Sequence, residues 1–235
     1  MSLSPEVLVS VNAWAGYLGE WTPRFAEAAL ATAQLSLLGF ALALLSGSLL
    51  AAALDSPRAL LRLPAQGLVQ SLRTVPLLAL LLLIYFGLPP LGITLDSFTA
   101  GVLGLGLYGA AYVAVIVRSA IDSVHRGQRE AALATGLTPA AAFVHVVLPQ
   151  ALRVMLPPLL NAFVSLLKDS SLCALIASNE LMLAARAMAS EYFLPMQVFL
   201  LAGLFYFLMA FPLSLLSRRL ERRLNTGRRS VGATS

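Results

Sequence analysis

The sequence predicts an all-α, polytopic membrane protein of about five transmembrane helices, and three observations carry that reading. Of the 235 residues, 59% are hydrophobic and only 11% are charged, against about 25% charged in an ordinary water-soluble domain. Mean hydropathy is +0.83. Several apolar runs reach the roughly 20 residues that a helix needs to cross a bilayer. Arginines gather in the segments on one side of those runs, as the positive-inside rule requires of cytoplasmic loops.

In chain order, residues 1–25 contain no Lys or Arg before Arg24. The positive leader of a secretory signal is therefore absent, and the segment is expected to stay in the mature chain as an outer, interfacial stretch. Trp14, Tyr17 and Trp21 suit a belt at headgroup level. A first span is expected over about residues 27–53, where Gly39, Ser46, Gly47 and Ser48 allow close helix contact. Beyond Asp55-Ser56-Pro57, a second span reads as amphipathic up to about Arg73 and wholly apolar from Leu77 to Leu88. A third covers about 97–121 and is rich in glycine. A fourth starts near Leu152, with a bend expected at Pro157-Pro158. Ser171–Tyr192 is only moderately apolar and carries Glu180 and Arg186, so it reads as a return helix near the outer face. A fifth span runs over about 193–217.

Between the third and fourth spans, Gly127–Pro149 (GQREAALATGLTPAAAFVHVVLP) is the longest stretch that sits poorly in lipid. An Ala-rich helical run around Glu130-Ala131-Ala132 stops at Gly136, a residue suited to the left-handed turn past a helix end. Thr138 is a natural N-cap and Pro139 fits the first helical position. The following helix, AAAFVHVVL, is expected to end at Pro149. A short apolar helix held on a water-facing hairpin fits a groove on another protein; the alternative is an amphipathic helix lying on the bilayer.

Arg58, Arg62, Arg118, Arg126, Arg129 and the tail arginines Arg218, Arg219, Arg222, Arg223, Arg228 and Arg229 fall on one side of the spans. That places the hairpin and the C-terminus in the cytoplasm and the N-terminus outside. Directly after a span, the basic tail reads as a contact with membrane lipid headgroups, with no nucleic acid implied. The division expected is therefore an interfacial segment 1–25, a transmembrane domain 26–220 with its loop at 126–149, and a cytoplasmic tail 221–235.

Metal and redox chemistry find no support. Cys173 stands alone in an apolar run, and His125 and His145 lack partners at metal spacing, so no metal site is expected. The single lysine, Lys168, follows Leu167 rather than glycine, so the glycine-lysine pair of a phosphate-binding loop is missing. The chain is read as no enzyme, with no cofactor of its own.

Glu-Ala-Ala at 130–132, Gly136 four positions later and Leu148-Pro149 resemble the cytoplasmic coupling loop of ATP-binding-cassette importer permeases. The string from Gly127 to Leu172 is similar to the polar amino-acid uptake branch of that family, the histidine/glutamine/arginine-type permeases, and the likeness extends over about residues 27–220. The resemblance implies the type I importer transmembrane fold and an amino-acid permease in a bacterial cytoplasmic (inner) membrane. It implies a dimeric ATPase that binds ATP and Mg, an extracytoplasmic solute-binding protein, and a second, sister or identical permease. It also implies that Gly127, Glu130, Ala131, Ala132, Gly136, Phe143, Val144, Val147, Leu148 and Pro149 couple to the ATPase.

Ionisable groups among spans default to functional hypotheses. Lys168 and Asp169 are about 100° apart on a helix, so each is expected to meet a partner elsewhere. KDSSL (Lys168, Asp169, Ser170, Ser171, Leu172) is similar to the family's Lys-Asp-Thr-Ser-Leu, and it serves either as a clamp between helices or as a lining of the solute path. Asn161 belongs to the same question. Arg73, in RTVP, resembles the family's Arg-Gly-Thr-Pro element, and either meets a substrate carboxylate or snorkels to the interface. In AAYVAVIVRSAI the family's tyrosine and arginine are kept as Tyr112 and Arg118, while Val115 replaces its glutamate. That departure means the resemblance does not by itself carry over a preference for basic amino acids: either a sister permease supplies the acid, or the solute differs, for instance an opine or a sulfur amino acid. A membrane enzyme lacks paired carboxylates or a His/Cys set. A stand-alone secondary transporter calls for more spans and internal repeats.

Overall fold

A computed structural model describes residues 16–225, so the expectation for Trp14 lies outside the described residues. Every regular element among these residues is helical. They are α1 (Leu18–Leu54), α2 (Ala59–Thr74), α3 (Leu77–Gly87), α4 (Ser97–Asp122), α5 (Arg126–Ala134), α6 (Pro139–Ala142), α7 (Leu148–Asp169), α8 (Leu181–Tyr192) and α9 (Pro195–Asn225). Short 3₁₀ turns occupy Pro89–Leu91 and Ser170–Ile176, and a π turn occupies Phe143–Val147. Four helical stretches are long and apolar enough to cross a membrane, and α2 with α3 makes a fifth if the pair counts as one.

The centre of the bundle is α1 against α4. Small residues let these backbones approach: a Cβ on Gly47 would lie 2.7 Å from the Ala110 carbonyl oxygen, and one on Gly109 would lie 2.8 Å from Ala43 Cβ. Around that seam, Leu35, Leu81, Leu105, Leu166 and Ile176 bring α1, α3, α4, α7 and the 170–176 turn into one core. Ala65, Val69 and Leu72 recur at helical spacing on α2 and bury against Ala51, Leu54, Ala111 and Ala114 of α1 and α4. α4 is started by Asp96, whose carboxylate accepts from the Thr99 backbone N–H at 3.0 Å and from its hydroxyl at 2.6 Å.

Three expectations change. The second span is not one helix: α2 and α3 meet at 104°. Val75 sits extended (φ −74°, ψ 130°) ahead of Pro76, because the proline ring drives the preceding residue out of the helical region. At 11 residues, α3 is about 16 Å long, half the hydrocarbon thickness. The hairpin's second helix does not stop at Pro149 either. It continues through the π turn into α7, where Pro149 occupies the first turn, and the widened turn is where the ladder absorbs a residue without an N–H. The break expected at Pro157-Pro158 is likewise absent, since both lie inside the continuous α7; the Pro157 carbonyl accepts from the Ser217 hydroxyl of α9 at 3.0 Å.

Trp21 also departs from the belt expectation. It is fully buried with Phe25 of α1 against Leu181, Ala185 and Met188 of α8 and Val198 of α9, while Tyr17 stacks on it at 5.4 Å. Helix α1 passes through residues 25 and 26 and α9 through 220 and 221 without interruption.

Candidate functional site

Two regions carry the polar and exposed apolar residues that packing leaves over. The first is the hairpin. α5 is capped by His125, whose Nδ1 accepts from the Gly127 N–H at 3.1 Å. Its end is a Schellman turn: Gly136 N–H donates to Leu133 O at 3.0 Å and Leu137 N–H to Ala132 O at 3.3 Å. Gly136 has φ +86°, in the left-handed region that only glycine enters without strain. Thr138 then accepts from the Ala141 N–H at 3.3 Å and opens α6 with Pro139 in its first turn.

On this hairpin Phe143 and Val144 are exposed, whereas Val147 and Ala132 are buried inward. Leu133, which lines the same groove as Phe143, and Leu137, just past the turn, add exposed apolar surface, and the sequence alone does not single them out. For Leu133 the signal is its place in the groove with Phe143, visible only once the turn is built. Glu130, Phe143, Val147 and Leu148 line a groove of about 1210 Å³ with Asp55, Asp122, His125, Arg126 and Arg129. Gly127, Ala131 and Pro149 belong to the same helices, Gly127 half-buried and the other two exposed.

The second region is a lateral cavity of about 480 Å³ between α1, α4 and α7. It gathers four of the residues that the sequence singles out: Tyr112, Asn161, Lys168 and Asp169. Tyr108 and Ser165 also line it, and no sequence pattern marks them; the hydroxyls of Tyr108 and Tyr112 are 3.1 Å apart, one helical turn along α4. Arg73 stands just outside, its guanidinium 5.8 Å from the Tyr112 ring centroid. Ser170 and Ser171 turn back on the chain instead, donating to the Leu167 and Lys168 carbonyls at 2.7 and 2.8 Å. Partners expected for Lys168 and Asp169 are not found: among the described residues neither forms an ion pair. Both charges are left facing the open cavity.

Val115 and Arg118 go elsewhere. They line a shallow hollow of about 630 Å³ with Gln66, Gln70 and Asp122. Arg118 Nε lies 2.9 Å from Asp55 Oδ1 and 3.9 Å from Asp122 Oδ2, an ion pair whose alignment falls short of a hydrogen bond. The arginine thus joins the ends of α1 and α4 beside the hairpin, and sits apart from the lateral cavity.

Residues 39–226 match the model of a family described as the binding-protein-dependent transport system inner membrane component. The chain is 35% identical over 204 residues to the glutamine transport system permease protein GlnP of Escherichia coli (strain K12), covering 86% of this chain and 93% of that one. It is 40% identical over 156 residues to the Probable glutamine ABC transporter permease protein GlnM of Bacillus subtilis (strain 168), covering 66% and 72%. A solved amino acid ABC transporter with histidines superposes with a TM-score of 0.81 at 33% identity, over 95% of this chain and all of that one. The MetNI methionine ABC transporter in an inward-facing conformation shares the fold, with a TM-score of 0.65 at 20% identity over 86% of this chain and 95% of that one. The chain therefore belongs to the family of inner-membrane components of binding-protein-dependent transport systems, as an ABC importer permease of the amino-acid type.

Proposed function

We propose that this chain is one half of a permease pair that carries a neutral, polar amino acid, and that the solute passes along the wall bearing Tyr108, Tyr112, Asn161, Ser165, Lys168 and Asp169. The observation that carries this reading is the Lys168–Asp169 couple on the wall of the lateral cavity, where neither residue forms an ion pair among the described residues. A charge facing lipid costs up to about 2.5–3.5 kcal/mol, the value at mid-membrane, which favours a wall that faces water or a second copy. The exposed Leu200, Leu204, Phe207 and Phe211 of α9 make a surface suited to lipid. An ammonium and a carboxylate side by side match the two charges common to amino acids, with the tyrosine hydroxyls and Asn161 left for a polar side chain. No acid stands at Val115, and the glutamine permeases among the relatives make neutral amino acids the first class to test; an opine or a sulfur amino acid follows in the same panel.

In this reading the hairpin docks in the groove of a separate ATPase dimer through Phe143, Val144, Leu133 and Leu137. ATP and Mg are bound there. The hairpin end carries Arg58, Arg62, Arg126, Arg129, Arg218 and Arg219, which supports a cytoplasmic placement in a bacterial inner membrane, with anionic lipid at the basic tail. The opposite end then receives the solute-binding protein. Hairpin motion is passed to α4 and α7, and the cavity opens alternately to either side.

The test is solute uptake and ATPase stimulation in proteoliposomes holding this chain, its ATPase and its sister permease, with a panel of amino-acid-loaded binding proteins. Lys168→Met and Asp169→Asn are expected to abolish uptake while the complex assembles and the binding protein still associates. Wild-type uptake in both variants refutes the placement of the path. Failure of any ATPase to associate with the folded wild-type chain refutes the subunit reading.

A further inference from the structure

Immediately after Lys168 and Asp169 the chain turns back on itself, and this return is held at one buried point. The Ser170–Ile176 turn ends at Ala177 in the left-handed region (φ +56°), whose carbonyl accepts from the Ser97 hydroxyl of α4 at 3.1 Å. Three residues on, Glu180 is 1% exposed. Its carboxylate accepts from the N–H groups of Met182 and Leu183 at 2.8 and 2.7 Å, and from the Tyr206 hydroxyl of α9 at 2.8 Å. The next N–H, that of Leu181, donates to the Thr32 hydroxyl of α1 at 2.9 Å. Every group pointed at Glu180 is a donor, which an acceptor-only carboxylate satisfies and an amide does not. Beneath this knot Cys173, the only cysteine of the chain, is fully buried and packs toward Gly101 of α4.

A buried carboxylate reached by two backbone N–H groups would by itself be a helix cap. The additional bonds from α1 and α9 exceed what a cap needs. They tie the return segment to two long helices, of which α1 reaches the Lys168–Asp169 cavity through Phe40 alone and α9 does not line it, so the position of that pair relative to the rest of the bundle depends on the tie. We propose that Glu180, with Thr32 and Tyr206, is a positioning residue for the solute path: it pins the 170–180 return onto α1 and α9, seals the segment over Cys173, and thereby fixes Lys168 and Asp169 at the cavity. This rests on the reading of that cavity as the path.

Cys173 supplies a reporter without introducing any residue. In the purified, assembled transporter, the rate of Cys173 labelling by a small maleimide reads local opening of the segment. Tyr206→Phe and Thr32→Val each remove one tie and leave the Glu180 cap on Met182 and Leu183. Each is expected to speed labelling by about two- to tenfold, the effect of one lost buried hydrogen bond, and to raise the half-saturating solute concentration of uptake several-fold with intact assembly. Glu180→Gln, which turns an N–H toward a donor, is expected to do both more strongly. Labelling as slow as wild type in Tyr206→Phe and Thr32→Val overturns the pin. Faster labelling with an unmoved half-saturation overturns the positioning role. Because labelling needs no transport, a wild-type complex that moves no solute defeats the proposed path and leaves the pin to be judged by labelling in the same variants.

Discussion

Gly47→Ala puts one methyl group against backbone at the α1–α4 seam. The new Cβ would meet Val113 Cβ at 2.6 Å, the Ala110 carbonyl oxygen at 2.7 Å and Val113 Cγ1 at 2.8 Å. Ordinary contact begins near 3.4 Å, so α1 and α4 must part locally by 3.4 − 2.6, about 0.8 Å, along a seam that includes backbone and cannot relax by rotating a side chain. Overpacking of this kind costs about 1–3 kcal/mol. Against that, alanine is about 1 kcal/mol better than glycine inside a helix, so the net loss for the single variant is about 0–2 kcal/mol. The matched control removes the offset. Gly203 lies inside α9, and a Cβ placed on it would meet nothing within 4 Å, so Gly203→Ala carries the helix gain without the clash. The difference between the two variants is expected to be about 1–3 kcal/mol in favour of Gly203→Ala. Thermal unfolding in detergent, followed by reaction of buried Cys173 with a thiol-reactive dye, measures it on the native chain. Equal midpoints for the two variants would refute the tight α1–α4 seam.

At the hairpin, Gly136→Val meets no steric obstacle, since nothing lies within 4 Å, and its cost is the backbone alone, about 1–2 kcal/mol for a side chain forced to φ +86°. Gly136→Asn is expected to be milder. Binding of the ATPase in a pull-down should weaken in the order asparagine then valine, and equal binding of all three chains counts against the left-handed turn as the hairpin's hinge point. At the start of α4, the Thr99 hydroxyl and then its backbone N–H hold the Asp96 carboxyl below its usual range. A depressed folded-state value means the cap's contribution is present above the ordinary carboxylate range and is lost as pH falls through the lowered value. Thermal midpoints of wild type are therefore expected to converge on those of Asp96→Ala as the pH is taken below about 4, and a gap that persists there would contradict the cap.

What the sequence settled alone is what chemistry fixes over a few residues or over a whole run. Apolar length set the span at 97–121, which the structure carries to Asp122. Gly136, Thr138 and Pro139 spelled their turn and cap because φ preference and a hydroxyl acceptor act within one helical turn. Where two local rules competed, the sequence was ambiguous. Proline ends a helix in isolation, yet Pro149, Pro157 and Pro158 are carried through by a π turn and by the support of packed neighbours. The Val75-Pro76 break was written in the X-Pro pair, but the apolar run across it argued for one continuous span.

Tertiary structure alone decided which polar residues share a wall. Tyr112, Val115 and Arg118 lie within two turns of one helix, yet Tyr112 faces Lys168 and Asp169 while Arg118 reaches Asp55, 63 positions earlier in the chain. Trp21 reads as an interface anchor until α8 folds back and buries it. Glu180 caps α8 locally, but its burial against the bundle comes from Tyr206, 26 positions away, and from the bond that the neighbouring Leu181 N–H makes to Thr32, 149 positions back. Helix periodicity fixes the angle between side chains on one helix but not the direction from which the neighbouring helices approach, and in this bundle that direction is set by the glycine seam of α1 and α4.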